Sequence, residues 1–106
     1  MVFQVGSALL DACVLAALSK EEMYGYILTQ KVKSVMEISE STLYPVLRRL
    51  QKEQALITYD QPYQGRNRRY YMITESGKEK LEDYRSEWKI YKNKVDKMLL
   101  EGTENE

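Results

Sequence analysis

The most informative stretch of this 106-residue sequence is Thr42-Leu43-Tyr44-Pro45-Val46-Leu47-Arg48-Arg49-Leu50. Its four aliphatic residues recur at steps of three, one and three, the spacing of one buried helix face. The residues between them are polar, aromatic or basic, so the opposite face is suited to contact a partner. Pro45 is tolerated because the first turn of a helix has backbone N–H groups without intrahelical partners. We therefore predict an amphipathic helix over residues 42–54, capped by Ser39 or Ser41.

Two further helices are predicted before this one. Residues 5–18 predict a helix that is apolar on nearly every face. This helix must therefore pack against its own domain on one side and against a second subunit on the other. Residues 23–35 carry apolar side chains at helical spacing, preceded by Ser19 and Glu22 at the spacing of a capping box. Gly25 lies inside this second helix, where glycine costs up to about 1 kcal/mol relative to alanine, which favours a close packing contact there.

Two strand-like runs, residues 55–61 and 69–74, follow the third helix. The residues between them, 62–68, are turn-rich and basic, which is typical of a β-hairpin. Because successive side chains of a strand point to opposite faces, Tyr71 and Ile73 are predicted on one face of the second strand, and Tyr70 and Met72 on the other. Three helices followed by two strands is the order of a winged helix-turn-helix. The predicted class is therefore mostly α with a small β-hairpin, an α+β fold.

A long last helix is predicted over residues 75–101, followed by a flexible polar tail, 102–106. Apolar side chains recur along it at alternating steps of three and four, which is a heptad seam. A helix of this length reaches on the order of 37 Å and outgrows a small domain. We therefore expect residues 1–74 to form the winged helix-turn-helix domain and 75–101 to form a dimerisation helix. The predicted dimer interface comprises Leu81, Tyr84, Trp88, Tyr91, Val95 and Met98.

The formal net charge is zero, with 16 basic and 16 acidic residues, but it is unevenly distributed. Residues 41–74 hold six basic residues against two acidic ones, all six on the third helix or the hairpin. A helix of this kind fits the major groove of double-stranded DNA, and a basic hairpin beside it reaches phosphates. Charge runs usually only keep a surface solvated. The position of these charges favours DNA binding over that simpler interpretation.

A family resemblance rests on three motifs: Tyr24-Gly25-Tyr26-Ile27, the stretch from Thr42 to Leu50, and Arg69-Tyr70-Tyr71 with Ile73-Thr74-Glu75-Ser76-Gly77. Together they closely resemble the PadR family of transcriptional regulators, in its short subfamily with a single C-terminal helix. The resemblance covers about residues 8–100. It implies a homodimeric repressor of transporter or stress genes that binds a pseudo-palindromic operator and is released by aromatic, drug-like or phenolic effectors. The DNA-binding residues expected from the charge pattern and the resemblance together are Tyr24, Ser41, Thr42, Tyr44, Pro45, Arg48, Arg49, Arg66, Arg68 and Arg69.

Trp88 is the sole tryptophan and lies in the middle of the heptad seam. Trp88 resembles the aromatic residue of short PadR proteins that stacks on a flat ligand between two subunits. Two indoles across a two-fold axis offer π faces to a planar or cationic molecule. The alternative is that Trp88 fills the dimer core. The predicted ligand-binding residues are Trp88, Tyr91, Val5, Ala8, Leu9 and Ala12.

Catalysis finds little support in the composition. The sequence has no histidine, and its single cysteine, Cys13, excludes an intrachain disulfide and a multi-cysteine zinc site. We find no candidate active site, so we expect a protein that is not an enzyme and has no metal or cofactor. Cys13 itself is interpreted as a small core residue. The apolar stretch 8–18 is too short for a membrane span, and no secretory signal is visible, so we expect a cytoplasmic protein. A winged helix that docks a protein partner without specific DNA binding is the alternative.

Overall fold

The computed structural model describes the backbone of residues 6–104 and the side chains of residues 6–101. The predicted α+β class is confirmed: four helices accompany a three-stranded antiparallel sheet of order β1-β3-β2. None of the helices that the structure describes is long and apolar enough to cross a membrane. The elements in chain order are α1 (Ser7–Lys20), β1 (Met23–Tyr24), α2 (Gly25–Lys33), α3 (Glu40–Lys52), β2 (Leu56–Tyr63), β3 (Arg66–Ile73) and α4 (Glu75–Glu104).

The short strand β1 occupies the predicted start of the second helix. Met23 pairs with Tyr71 and Tyr24 with Tyr70, so the chain is held extended until α2 begins at Gly25. The Ser19 hydroxyl donates to the Ala16 carbonyl within α1, at 2.7 Å, and α2 has no side-chain cap. The predicted capping box is therefore wrong, because pairing with a distant strand overrides the local helix signal.

The core lies between α1, α2, α3, the start of α4 and the inner face of the sheet. The stripe of α1 formed by Leu10, Val14 and Leu18 is buried within the chain, as expected for cover from its own domain. Its second stripe is only half-buried at Leu9, Ala12 and Ala16. The buried hydrophobic side chains of the core are Leu10, Val14, Leu15, Leu18, Met23, Leu28, Val32, Leu43, Val46, Leu47, Leu50, Ala55, Leu56, Tyr71 and Leu81.

Both ends of α3 are defined by hydrogen bonds. Ser39, and not Ser41, is the N-cap, because its hydroxyl accepts from the Thr42 N–H at 3.2 Å. At the other end Gln54 has a φ of 65°, and the Ala55 N–H reaches back to the Leu50 carbonyl at 2.9 Å. This is the Schellman arrangement of a helix C-terminus. The helix consequently begins at Glu40 and ends at Lys52, two residues before the predicted end.

The hairpin is longer and its turn tighter than predicted. The turn residues Gln64 and Gly65 have φ values of 51° and 79°, the positive pair that a two-residue type I′ turn requires. Strand β2 therefore runs to Tyr63 and β3 starts at Arg66. As a consequence, Arg66 and Arg68, expected in the basic loop, lie on β3 with Arg69, and the alternation of side chains along the strand puts Arg69 on the opposite face from the other two.

Helix α4 has 30 residues, so it extends about 45 Å. Its backbone continues three residues into the segment predicted as a flexible tail, and residues 105–106 lie outside the described part of the chain. Leu81 is only 3% exposed and packs in the domain core, so its assignment to the dimer interface is wrong. Tyr84 is half-buried against the same core. The first turns of α4 cover the domain, and the seam from Trp88 onward does not.

Candidate nucleic-acid interface

The outer face of α3 presents a polar and basic surface, which we call the recognition face: Ser41, Thr42, Tyr44, Pro45, Arg48 and Lys52. All six side chains are exposed, while Leu43, Leu47 and Leu50 hold the opposite side of the helix in the core. Within residues 6–101, neither Arg48 nor Lys52 forms an ion pair. Their positive charge is therefore available to an anionic partner.

Strand β3 sends Arg69 to the side of the sheet that faces α3. Its Nε lies 3.4 Å from the Asp60 carboxylate, in an exposed pair that contributes little stability. The hydroxyl of Tyr71 is close enough to interact electrostatically with Arg69, Tyr44 and Arg48, and burial, the larger influence, raises the pKa of Tyr71. Arg69 therefore belongs to the same region as the recognition face.

Arg68 lies on the outer face of the sheet, between two tyrosine rings. Its guanidinium carbon is 4.1 Å from the ring centroid of Tyr24 and 3.6 Å from that of Tyr63, which are cation–π distances. The Tyr24 ring also contacts Tyr70, whose ring stacks on Tyr59 at 5.3 Å. Arg68 and Tyr24 thus join β1 to the hairpin, and Arg66 is exposed beside the turn.

Arg49 departs most from its predicted role. Its Nη2 lies 2.6 Å from Oδ1 of Asp11 on α1, and Asp11 is only 4% exposed. The hydrogen bond with Asp11 raises the pKa of Arg49. A buried carboxylate requires a compensating cation, so Arg49 is drawn toward α1 and away from Arg48. The structure places it in an ion-pair network with α1, and we leave it out of the recognition face.

Three more side chains complete this network. The Tyr84 hydroxyl donates to Oδ2 of Asp11 at 3.1 Å, and burial together with that carboxylate raises the pKa of Tyr84 to about 12. Arg49 also contacts Glu53 at 3.3 Å, and the Lys80 ammonium donates to Glu53 at 2.8 Å. The hydrogen bond from Lys80 lowers the pKa of Glu53. At neutral pH Tyr84 is therefore a neutral donor and Glu53 a charged acceptor.

A cleft of about 900 Å³ opens between α1, the connector of residues 35–39 and α4. Of the six predicted ligand-binding residues, Leu9, Ala12 and Trp88 line it. Ala8 instead lines a neighbouring cavity of about 460 Å³ beside Asp11 and Arg49. Tyr91 does not line the cleft, although its ring centroid lies 6.1 Å from that of Trp88. The sixth predicted residue, Val5, lies outside the described residues.

Cys13, expected in the core, is half-buried on the wall of this cleft. Burial raises the pKa of its thiol, so the side chain is uncharged at neutral pH and a poor nucleophile. Among the described residues no cluster of cysteine, aspartate and glutamate could hold a metal ion.

A three-helix domain with a basic recognition face, an adjoining hairpin and a long C-terminal helix defines a winged helix-turn-helix protein. Residues 14–83 match the model of the PadR-like family of transcriptional regulators. The chain therefore belongs to that family, and it is a transcription regulator and not an enzyme.

Two solved structures and one further relative are similar to this chain. The chain is similar to smu.1704 from Streptococcus mutans UA159, with a TM-score of 0.86 and 41% identity over 93% of both chains. It is also similar to a PadR-like transcriptional regulator from Bacillus cereus, with a TM-score of 0.79 and 34% identity over 89% of this chain and 94% of that one. An uncharacterized protein from Lysinibacillus sphaericus is 33% identical over 90% of this chain and 91% of its own length.

Proposed function

We propose that this protein is a homodimeric repressor that binds a pseudo-palindromic operator through α3 and the hairpin. The observation that carries the proposal is the recognition face, which is exposed and basic and whose Arg48 has no ion-pair partner among the described residues. Thr42, Tyr44 and Arg48 read base edges in the major groove. Arg66 and Arg69 contact phosphates, which adds affinity and a steep salt dependence. Such a function places the protein in the cytoplasm, with the chromosome.

The dimer is proposed to form along the distal part of α4. Trp88, Tyr91, Met98 and Leu99 are between 42% and 85% exposed there. Large apolar side chains grouped on one rod favour burial against a second copy. Pairing of the two rods sets the separation of the recognition faces, which we expect to engage half-sites with centres roughly 34 Å apart.

The effector is proposed to be a flat aromatic compound, cationic or phenolic, that contacts Trp88. The support is the cleft beside its indole, whose other walls include Leu9 and Ala12. Trp88 is 42% exposed, so its ring face is accessible to a planar guest. Binding would release DNA by favouring a dimer geometry that misfits the half-sites, since only differential affinity shifts an equilibrium.

Arg48→Ala tests the DNA-binding proposal. We expect it to weaken operator binding by about 2 kcal/mol, roughly 30-fold, because a side chain that pairs with a base edge is lost. The measurement is fluorescence anisotropy with DNA from upstream of the protein's own gene, against a scrambled duplex at the same salt concentration. Lys89→Ala, which removes an exposed charge from α4, should leave affinity unchanged. Equal wild-type binding to both duplexes would favour the alternative of a protein-docking module.

Tyr91→Asp tests the dimer. Burying a charge in the paired rods, once from each subunit, should raise the dimer dissociation constant at least about 100-fold. Sedimentation equilibrium at micromolar concentration gives the constant directly. Asn93→Asp adds the same charge two positions along α4 and away from the seam, and it should dimerise like the wild type. A Tyr91→Asp protein that remains dimeric would rule out this interface.

Fluorescence of Trp88 tests the effector. Because it is the sole tryptophan, quenching by a bound aromatic compound reports this site alone. We expect saturable quenching by at least one compound in a panel of planar cations and phenolic acids, with parallel release of the operator. A panel that leaves the emission unchanged would mean that Trp88 fills the dimer core instead.

A further inference from the structure

A continuous chain of polar contacts joins α3 to α4 by two routes. In the first, Arg49 of α3 pairs with Asp11, which accepts from Tyr84 of α4. In the second, Glu53, which caps the C-terminus of α3, accepts directly from Lys80 of α4. Arg49 and Glu53 also contact each other, so the two routes form one network.

The spacing of these contacts constrains rotation as well as distance. Arg49 in the last turn of α3 and its C-cap Glu53 are four residues apart, and Lys80 and Tyr84 lie one turn apart on α4. Residues four apart share a helix face, so each helix is held at two points along one edge. A helix held at two points cannot roll about its axis without breaking a contact.

The only other direct attachment that the described residues show between these helices is at the first turn of α4, where the Thr74 and Ser76 hydroxyls donate to the Gln54 carbonyl just after α3. The backbones of α3 and α4 hardly approach each other, whereas α1 packs against both. Asp11 is the side chain of α1 that touches both helices through charged or polar atoms, and it is 4% exposed. The carboxylate end of both contacts is therefore buried, whereas the Arg49 side chain is 42% exposed.

Arg48 directly precedes Arg49 in the sequence, so any roll of α3 that frees Arg49 also turns Arg48 and the recognition face. We propose that Asp11, Arg49 and Tyr84 are positioning residues that fix the orientation of α3 relative to α4 and thereby set the half-site spacing that the dimer accepts. This inference rests on the proposed function, in which α4 joins the subunits and α3 reads the operator.

Half-site spacing is the property that such a link controls. One base pair added at the operator centre moves a half-site by about 3.4 Å and rotates it by about 34°. A dimer with rigidly held recognition helices rejects that change. A dimer whose recognition helices roll independently accommodates the added base pair. Its stability and its contacts with each half-site are little altered.

The experiment uses an operator that the full-length protein itself selects from random duplexes, and versions of it with one base pair added or removed at the centre. Affinities are compared for the wild type, Asp11→Asn, Tyr84→Phe and Glu82→Gln. Glu82→Gln breaks an exposed ion pair with Arg85 inside α4 and serves as the matched control. Sedimentation and thermal unfolding establish that each variant is a folded dimer.

We expect the wild type and Glu82→Gln to prefer the selected spacing by about fivefold or more. In Asp11→Asn and Tyr84→Phe the preference should shrink by about fivefold or disappear, while dimerisation is unchanged. If Asp11→Asn does not fold, the inference is judged from Tyr84→Phe, which removes a single hydroxyl, by the same loss of spacing preference. Folded variants that keep the wild-type preference overturn the inference, as does a wild type that binds specifically without preferring a spacing. A wild type that binds all duplexes alike overturns the proposed function itself.

Discussion

Gly77→Ala is expected to destabilise the protein by about 3 kcal/mol. A Cβ atom at this position would lie 2.2 Å from the Ala55 carbonyl oxygen and 2.8 Å from Cγ1 of Ile73. The carbonyl belongs to the backbone and cannot move aside as a flexible side chain can. Since alanine ordinarily stabilises a helix relative to glycine, the sign of the effect itself identifies a steric cause.

The local hydrogen bonds explain why the structure cannot relax away from this contact. The Thr74 hydroxyl accepts from the Gly77 N–H at 3.0 Å and donates to the Gln54 carbonyl at 2.6 Å. Ser76 donates to the same carbonyl at 2.9 Å. Moving α4 outward to admit a methyl group would break these bonds, which hold its first turn against the end of α3.

Gly25→Ala is the matched control. The sequence suggests a close contact at Gly25, but an added Cβ would lie 3.6 Å from the Tyr71 ring, an ordinary van der Waals distance. That expectation is wrong, and the close approach lies at Gly77 instead. Urea unfolding followed by circular dichroism, at one fixed protein concentration, should show Gly25→Ala as stable as the wild type or up to about 1 kcal/mol more stable. A Gly77→Ala protein as stable as the wild type would contradict the packing described here.

Arg49→Met is expected to reduce the free energy of unfolding by about 3 kcal/mol. The methionine keeps much of the side-chain volume but leaves the Asp11 carboxylate buried with the Tyr84 hydroxyl as its one remaining partner among the described residues. Desolvation of that unpaired charge is the main penalty. Arg49 is partly exposed, which keeps the expected loss at the lower end of the range for buried pairs.

Two further variants isolate this cause. Asp11→Asn combined with Arg49→Met removes both charges, so it should recover most of the stability lost in the single variant. Arg48→Met makes the same chemical change at the adjacent, exposed position and should stay within about 0.5 kcal/mol of the wild type. Chemical unfolding of the four proteins measures all three differences. A double variant no more stable than Arg49→Met would show that the loss arises from packing and not from the unpaired carboxylate.

Asp11 shows how far sequence reasoning could reach into this network. A single acidic residue within the apolar stretch 8–18 signals a buried charge that requires a cation. The sequence could not name that cation, because Arg49 lies 38 residues away and Arg48 beside it carries the same charge. Only the packing of α1 against α3 chooses between the two arginines: it pairs Arg49 with Asp11 and leaves Arg48 without an ion pair among the described residues.

The sequence by itself determined the helices, the hairpin and the amphipathic recognition helix, because periodicity and turn chemistry are local properties. Tertiary structure decided what depends on distant partners. Strand β1 exists because β3 pairs with it, and Leu81 belongs to the domain core because α4 lies against α1. The hairpin arginines separate between two faces because the type I′ turn extends both strands. In each case the free energy that decides the outcome comes from contacts between segments far apart in the chain, which no local pattern encodes.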